Sequence, residues 1–201
     1  MDIEFKISKK PVNYKKAYQL LEKRVDEVKK GGRELVWILE HPTTYTAGIR
    51  YEKKEILDES INIVKTNRGG KITLHNPGQK VVYFVLDLNK RKKNIRNLVR
   101  EIENIIIEFL KIYSIKSYAD KKNIGIWVNK KKIAAIGIRV SRWVAYHGFS
   151  ININNNLNDY HKIIPCGLDN EKITSITMEE RKPININNNL KKIILKNLPK
   201  F

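Results

Sequence analysis

The chain predicts an α+β domain: strands in consecutive runs, helices between them, and a mixed or antiparallel sheet with helices packed on its faces. Two observations carry this prediction. Apolar residues recur with a helical period over Asn13–Lys30 and again over Asn94–Tyr113. Much of the remaining chain consists of short apolar segments rich in Ile, Val and Tyr, punctuated by Gly, Asn and Pro turns. A third observation bounds the size, since 201 residues suit a single domain, 1–201, with room for a substantial core.

Taken in order, the first helix places Ala17, Leu20, Leu21, Val25 and Val28 on one face, with Asn13 able to cap it and Gly31–Gly32 to stop it. Packing is its expected role. Glu34–Glu40 is apolar enough for a central strand, and a loop from His41 to Gly48 follows, His41 preceding a proline as turn residues often do. Strands are then expected at Ile61–Thr66, Lys71–His75 and Lys80–Leu88, with turns at Asn67–Gly70 and Asn76–Gly78, a hairpin-rich unit. Paired glycines in the first turn let the backbone approach a ligand and leave amide groups free to face an anion or a carbonyl oxygen. After the long helix, Asn123–Asn129 and Lys132–Val140 read as a hairpin turning at Asn129–Lys131, and Arg142–Ile153 as a further strand. A short helix at Asn158–Ile163, with His161 structural or exposed, and a terminal helix at Asn189–Leu198 complete the chain.

The balance of 41% hydrophobic and 30% charged residues is that of a globular protein. No apolar run is long enough to span a membrane and the N-terminus has neither a secretory core nor an arginine-rich transit pattern, so a cytoplasmic protein without membrane association is expected. The formal charge of +19 would suit a polyanion partner. The lysines are scattered, however, and accompany an excess of Asn and Ile that includes the heptapeptide ININNNL at both 151–157 and 184–190. A nucleic-acid surface would concentrate its cations and interleave aromatics, which here fall in strands and helix faces, so no nucleic acid is expected.

Chemistry concentrates between Lys132 and Gly167. Lys132 opens the apolar run IAAIGIRV, and the single cysteine, Cys166, sits between Pro165 and Gly167, where the chain must turn. One cysteine excludes an internal disulfide and a zinc site built from thiolates. A lone cysteine is often a small buried hydrophobe; as a nucleophile it must be a thiolate, which a neighbouring ammonium stabilises. His147 is the alternative base by virtue of its near-neutral titration.

Four blocks, RGGKITLHNPGQ (68–79), KIAAIG (132–137), IRVSRWVAYHGFS (138–150) and IPCGL (164–168), in this order and spacing, resemble the bacterial octanoyltransferases of lipoic acid synthesis, the lipoyl(octanoyl) transferase family. The similarity runs from about Val36 to Thr177, including an EHP…YT.G segment at 40–48 that helps to wall the family's acyl pocket. The resemblance implies the biotin/lipoate protein ligase fold and transfer of an octanoyl group from octanoyl-acyl carrier protein, through a cysteine thioester, to a lysine of lipoyl domains in 2-oxoacid dehydrogenase subunits and the glycine cleavage H protein. It implies Cys166 as nucleophile and, because the family's lysine directly precedes Ile-Ala, Lys132 rather than Lys130 or Lys131 as acid/base. Substrate contacts are implied for Arg68, Gly69, Gly70, Lys71, Ile72, Thr73, Leu74 and His75, for Ala135, Ile136 and Gly137, and for Gly148, Phe149 and Ser150. No cofactor or metal and a monomeric enzyme are expected. The related ATP-dependent lipoate-protein ligases, the alternative, need no nucleophilic cysteine. One departure is Asn76, where the family usually has glycine; asparagine tolerates a left-handed backbone, so the turn is expected to persist.

Overall fold

A computed structural model of the chain describes residues 2–120, 123–165 and 172–201. It is an α+β domain with two sheets. In chain order the elements are β1 (Ile3–Ile7), α1 (Tyr14–Lys29), β2 (Glu34–Leu39), β3 (Thr44–Ala47), β4 (Ile63–Lys65), β5 (Ile72–His75), β6 (Gln79–Asp87), α2 (Ile95–Ile112), β7 (Tyr118–Ala119), β8 (Ile126–Val128), β9 (Lys131–Ser141), β10 (Val144–Asn152) and α3 (Ile186–Asn197). The larger sheet has the order β1-β2-β6-β10-β9-β8-β7, parallel only between β1 and β2, and the smaller has β4-β3-β5.

Side-chain alternation splits the core of the large sheet into two layers. Val36, Ile38, Val82, Phe84, Leu86, Phe149 and Ile151 face α2 and α3, where they meet residues such as Ile102, Ile106, Phe109, Leu190 and Ile194. Leu35, Trp37, Leu39, Val81, Tyr83, Val85, Val144 and Tyr146 face α1 and its Ala17, Leu21, Val25 and Val28. Both long helices start as their sequences predict: the Asn13 side chain accepts from the Lys16 N–H at 3.2 Å, and Asn94 from that of Asn97 at 3.0 Å.

Three local expectations are corrected. β4, β5 and β6, expected as successive hairpins, do not pair with one another: β4 and β5 flank β3, while β6 crosses to the centre of the large sheet between β2 and β10. The segment read as a loop after His41 supplies β3, the middle strand of the small sheet. Finally, Arg142 and Trp143 are not strand but the two-residue turn of the β9–β10 hairpin, both with positive φ (48° and 61°) as such tight hairpins demand; Asn129 and Lys130 (47° and 65°) do the same between β8 and β9. Arg-Trp lacks the Asn-Gly signature that marks this turn in sequence.

Gly148 lies in β10 between Gly137 of β9 and Tyr83 of β6, and a Cβ there would run into the Val82 carbonyl oxygen. Gly148→Ala is therefore expected to destabilise the fold by about 1–3 kcal/mol. A lower urea midpoint at unchanged m-value checks this, and an unshifted midpoint contradicts it.

Candidate active-site cleft

Where Gly137 and Gly148 stand side by side, the α1-facing side of the large sheet has no side chains to fill it. Ladder partners point to the same face, so Ala135 and Ser150 lie on one side of this gap, Val81 and Tyr83 on its β6 flank. Opposite stand Thr73 and His75 of β5 and the turn Arg68–Gly70, with Lys71 beyond. Together these walls line a cleft open to solvent, bordered also by Ile136 and Phe149. The structure thus brings twelve of the fourteen expected contact residues to one cleft. Ile72 and Leu74 are the exceptions, because alternation along β5 sends them away from Thr73 and His75 into a separate apolar cluster with Tyr45, Tyr160 and Ile163.

The glycine turn is held backbone against backbone. A Cβ on Gly69 would approach the Ile138 carbonyl oxygen to 2.8 Å, and Gly70 has φ +92°. Arg68 is buried and clamps the turn to β3, donating to the Thr46 carbonyl oxygen at 2.7 Å, to Thr46 Oγ1 at 2.9 Å and to the Gly69 carbonyl oxygen at 3.0 Å. Its guanidinium charge faces the cleft and acts on the histidines there.

Three buried histidines close one end. His147 has φ +66°, a strained conformation for a non-glycine residue. By strand alternation it belongs with Ala145 and Phe149 on the α2 side, yet its ring stacks on Tyr18 and Tyr146 and contacts Tyr83, all on the α1 side. The left-handed backbone thus accompanies a side chain turned over to the cleft, where Nε2 lies 2.7 Å from Asn67 Oδ1. His41 Nδ1 donates to the Val12 carbonyl oxygen at 2.6 Å, which makes Nε2 the acceptor for the Tyr83 hydroxyl at 2.8 Å. His75 Nδ1 donates to Gln79 Oε1 at 2.7 Å. Burial lowers the pKa of His41 to about 4; burial, His41 and Arg68 lower that of His75 to about 3; burial, Arg68 and Arg139 lower that of His147 to about 3. All three are neutral imidazoles at neutral pH. Tyr14, at the start of α1, stacks on His75 and lies against His41, ring centroids 5.7 and 4.9 Å apart. Sequence reasoning missed Tyr14 and Tyr83 as cleft residues, although Tyr14 extends the apolar helix stripe of Ala17 and Leu21 by one turn.

Lys132 is 6% exposed, on β9, with Nζ 5.7 Å from the centre of the Trp127 ring. Gly125, with φ +140°, leaves room for its stem, since a Cβ there would collide with Lys132 Cε. Lys132 lines a smaller cavity with Tyr160, Pro165 and Ile173, and this cavity shares Thr73, Ala135 and Ser150 with the main cleft. Cys166, Gly167 and Leu168 lie outside the described residues.

A chain of buried amides holds the surroundings of Lys132. Gln79 Nε2 is 2.9 Å from both Asn152 Oδ1 and the Tyr160 hydroxyl; Asn152 Nδ2 donates to the Thr174 carbonyl oxygen at 3.0 Å, and the Thr174 N–H donates to that of Lys132 at 3.0 Å. Asn76 joins this network from the other end. It is 1% exposed, donates to the Asn156 carbonyl oxygen at 2.8 Å and to Asp159 Oδ2 at 2.9 Å, and accepts from Asn155 Nδ2 at 2.9 Å. The turn persists as expected, but for a different reason: the left-handed position is Gly78 (φ +86°), and Asn76 has no positive φ.

Residues 13–198 match the lipoyl protein ligase A/B catalytic domain family. The chain is 45% identical over 183 residues to the octanoyltransferase of Anaplasma phagocytophilum (strain HZ), 88% of each chain, and 45% identical over 181 residues to that of Ehrlichia chaffeensis, 87% of this chain and 85% of that one. In fold it is similar to a putative lipoate protein ligase from T. acidophilum with bound lipoic acid, at TM-score 0.81 and 14% identity over 98% of this chain and 86% of that one. A biotin protein ligase from Aquifex aeolicus in complex with biotin and ATP aligns at TM-score 0.55 and 17% identity over the whole of this chain and 71% of that one.

The histidine cluster has a consequence for stability. Each imidazole has a lower pKa folded than its unfolded value near 6.5, so above pH 6.5 neither state binds the proton and the cluster is pH-indifferent. Below it the unfolded chain takes up protons that the native state refuses until about pH 3–4. Stability is expected to fall by roughly 2 kcal/mol per histidine between pH 7.5 and pH 5. Urea titrations at the two pH values check this, with His41→Gln flattening the slope; a pH-independent midpoint contradicts it.

Proposed function

The chain belongs to the lipoyl protein ligase A/B catalytic domain family and is an acyltransferase of its octanoyltransferase branch, and from that premise we propose how its cleft works. The octanoyl chain lies over the Gly137–Gly148 gap, and the thioester carbonyl sits toward the Lys132 cavity. Cys166 Sγ, as thiolate, attacks the carbonyl carbon of octanoyl-acyl carrier protein. The tetrahedral intermediate collapses, the carrier's sulfur leaves with the electron pair of the broken C–S bond, and Lys132 supplies the proton that makes it a thiol. In the second half the ε-amine of a lipoyl-domain lysine attacks the Cys166 thioester, a proton passes from that amine to Lys132, and Cys166 leaves as thiolate. The product is an octanoyl amide. In this reading backbone N–H groups near the Lys132 and Cys166 motifs stabilise the oxyanion of both intermediates. Thioester exchange followed by aminolysis needs no nucleotide, because the acyl group arrives already activated.

The observation that carries this reading is the shared cavity. Lys132 and Pro165, the residue bonded to Cys166, line the same small space, which adjoins the cleft and has Thr73, Ala135 and Ser150 in common with it. The clients of the reading are lipoyl domains; an archaeal ligase of this fold was solved in a lipoylation system together with its E2 lipoyl domain. Likeness to the ligases themselves is one of fold. We place the enzyme in the cytoplasm as a single-domain monomer; among the described residues no helix is long and apolar enough to cross a membrane.

Intact-mass measurement after mixing with octanoyl-acyl carrier protein, without ATP, tests the thioester. A gain of one octanoyl group that hydroxylamine reverses and Cys166→Ala abolishes is expected; an unmodified wild type rejects the covalent mechanism. Lys132→Ala should slow acylation by at least about 100-fold, the usual worth of a positioned acid/base, and unchanged turnover would remove Lys132 from that role.

A further inference from the structure

We propose that Tyr14 and Tyr83, braced by His41, form a rigid stop at the far end of the cleft that sets the length of acyl chain the site accepts. The inference rests on the acyl-binding reading above and goes further, by assigning specificity to residues outside the matched glycine and cysteine blocks.

The direction of the cleft follows from the ladder. Lys132 marks the reacting end, and β9 leads from it past Ala135 to Gly137. Gly137 pairs with Gly148, and Gly148 with Tyr83. An acyl chain that starts at the Lys132 cavity and follows the gap left by the two glycines therefore meets Tyr83, with Tyr14 beside it. Both rings are nearly fully buried.

This end wall cannot yield easily. The Tyr83 hydroxyl is fixed on His41 Nε2, and His41 is fixed in turn by its Nδ1–H bond to the Val12 carbonyl oxygen. Tyr14 and Tyr83 lie close enough to act on each other's ionisation, and the Tyr14 ring packs against both His41 and His75. The backbone of Tyr14 is anchored as well, since Asn13 caps the helix that Tyr14 begins. The wall is also uncharged at neutral pH, because its histidines stay neutral there, so it can meet a terminal methyl group without stranding a charge. A chain that just reaches the rings gains the burial of every methylene, about fourfold in binding for each; a longer one must bend or leave part of itself outside.

The test compares octanoic, decanoic and dodecanoic acids, bound to the full-length protein and measured by calorimetry, with acylation by the corresponding acyl-carrier thioesters followed by intact mass. Wild type is expected to lose at least tenfold in acylation rate and in affinity from the eight- to the twelve-carbon chain. Tyr14→Ala and Tyr83→Leu are expected to raise the twelve-to-eight ratio by about tenfold or more in both measurements, while Tyr14→Phe, which keeps the ring, retains the eight-carbon preference. Unfolding midpoints identify any variant that fails to fold, and the other then decides. Ratios that stay at the wild-type value in folded variants overturn the stop. A length shift in fatty-acid binding without acylation supports the stop and rejects the transfer mechanism alone, whereas wild-type protein that neither binds the acids nor is acylated by the thioesters rejects both.

Discussion

The structure turns on one cross-strand pair, Gly137 against Gly148, that opens a gap in an otherwise filled sheet face. Everything around it reads as a consequence. Without a Cβ at either position the α1 side of the sheet has a trough, and the small sheet can bring Thr73, His75 and the Arg68–Gly70 turn close enough to roof it. Gly69 approaches β9 so closely that only glycine fits, which ties the roof to the same two strands that form the floor. The next position along β10, His147, takes a left-handed backbone, so its ring reaches the trough instead of the α2 core. Strain there is offset by stacking on Tyr18 and Tyr146 and by the bond to Asn67.

A second constraint is electrostatic. Arg68 acts on both His75 and His147, and its hydrogen bonds go to Thr46 and Gly69, all neutral acceptors. The desolvation of His75 and His147, with the charge of Arg68 added, makes a second positive charge in the cluster costly. The near-neutral titration that made His147 attractive as a base in the sequence is lost on folding, and with it much of its power to take a proton at neutral pH. What remains for the histidines is to orient: His41 holds Tyr83, and His75 holds Gln79, which leads to Asn152 and the segment beside Lys132.

Much of the fold was legible because it rests on periodicity. The stripes of α1 and α2, the apolar strands β2 and β6, and the lysine hairpin all appear where side-chain spacing puts them. Pairing was less legible, since which strand lies beside which depends on contacts far apart in sequence; β5 and β6, three residues apart, end in different sheets. The heptapeptide ININNNL makes the same point within one chain. At 151–157 it ends β10 and forms a turn whose asparagines hold the amide network, and at 184–190 it leads into α3. Local propensity could not decide between these outcomes, because the strand preference of isoleucine is set against the cap and turn preference of asparagine, and the surroundings differ. Most of the expected cleft residues were found because they fall in the blocks that carry the family resemblance, some of them glycines where one backbone approaches another. Tyr14 and Tyr83 leave none, as an aromatic ring on a helix stripe or in an apolar strand reads as core whether or not a cleft lies beside it.

The asparagine network explains why the excess of asparagine, which looks like mere composition, matters at one place. The transfer proposed above uses one site for both half-reactions, so the positions of the residues that flank Cys166 matter twice. On the near side of Cys166, Tyr160 is bound to Gln79, and the Ile164 N–H donates to the Glu55 carbonyl oxygen at 2.7 Å; on the far side, Thr174 is bound to both Asn152 and Lys132. Tyr160 on one side, Thr174 on the other and, through Thr174, the backbone of Lys132 thus converge on the side chains of Gln79 and Asn152. A buried amide that satisfies donors and acceptors from several elements at once fixes their relative positions more narrowly than apolar packing, which tolerates sliding. Asn76 extends that hold to Asn155 and Asp159, so the residue that departs from the usual glycine adds ties instead of loosening the turn.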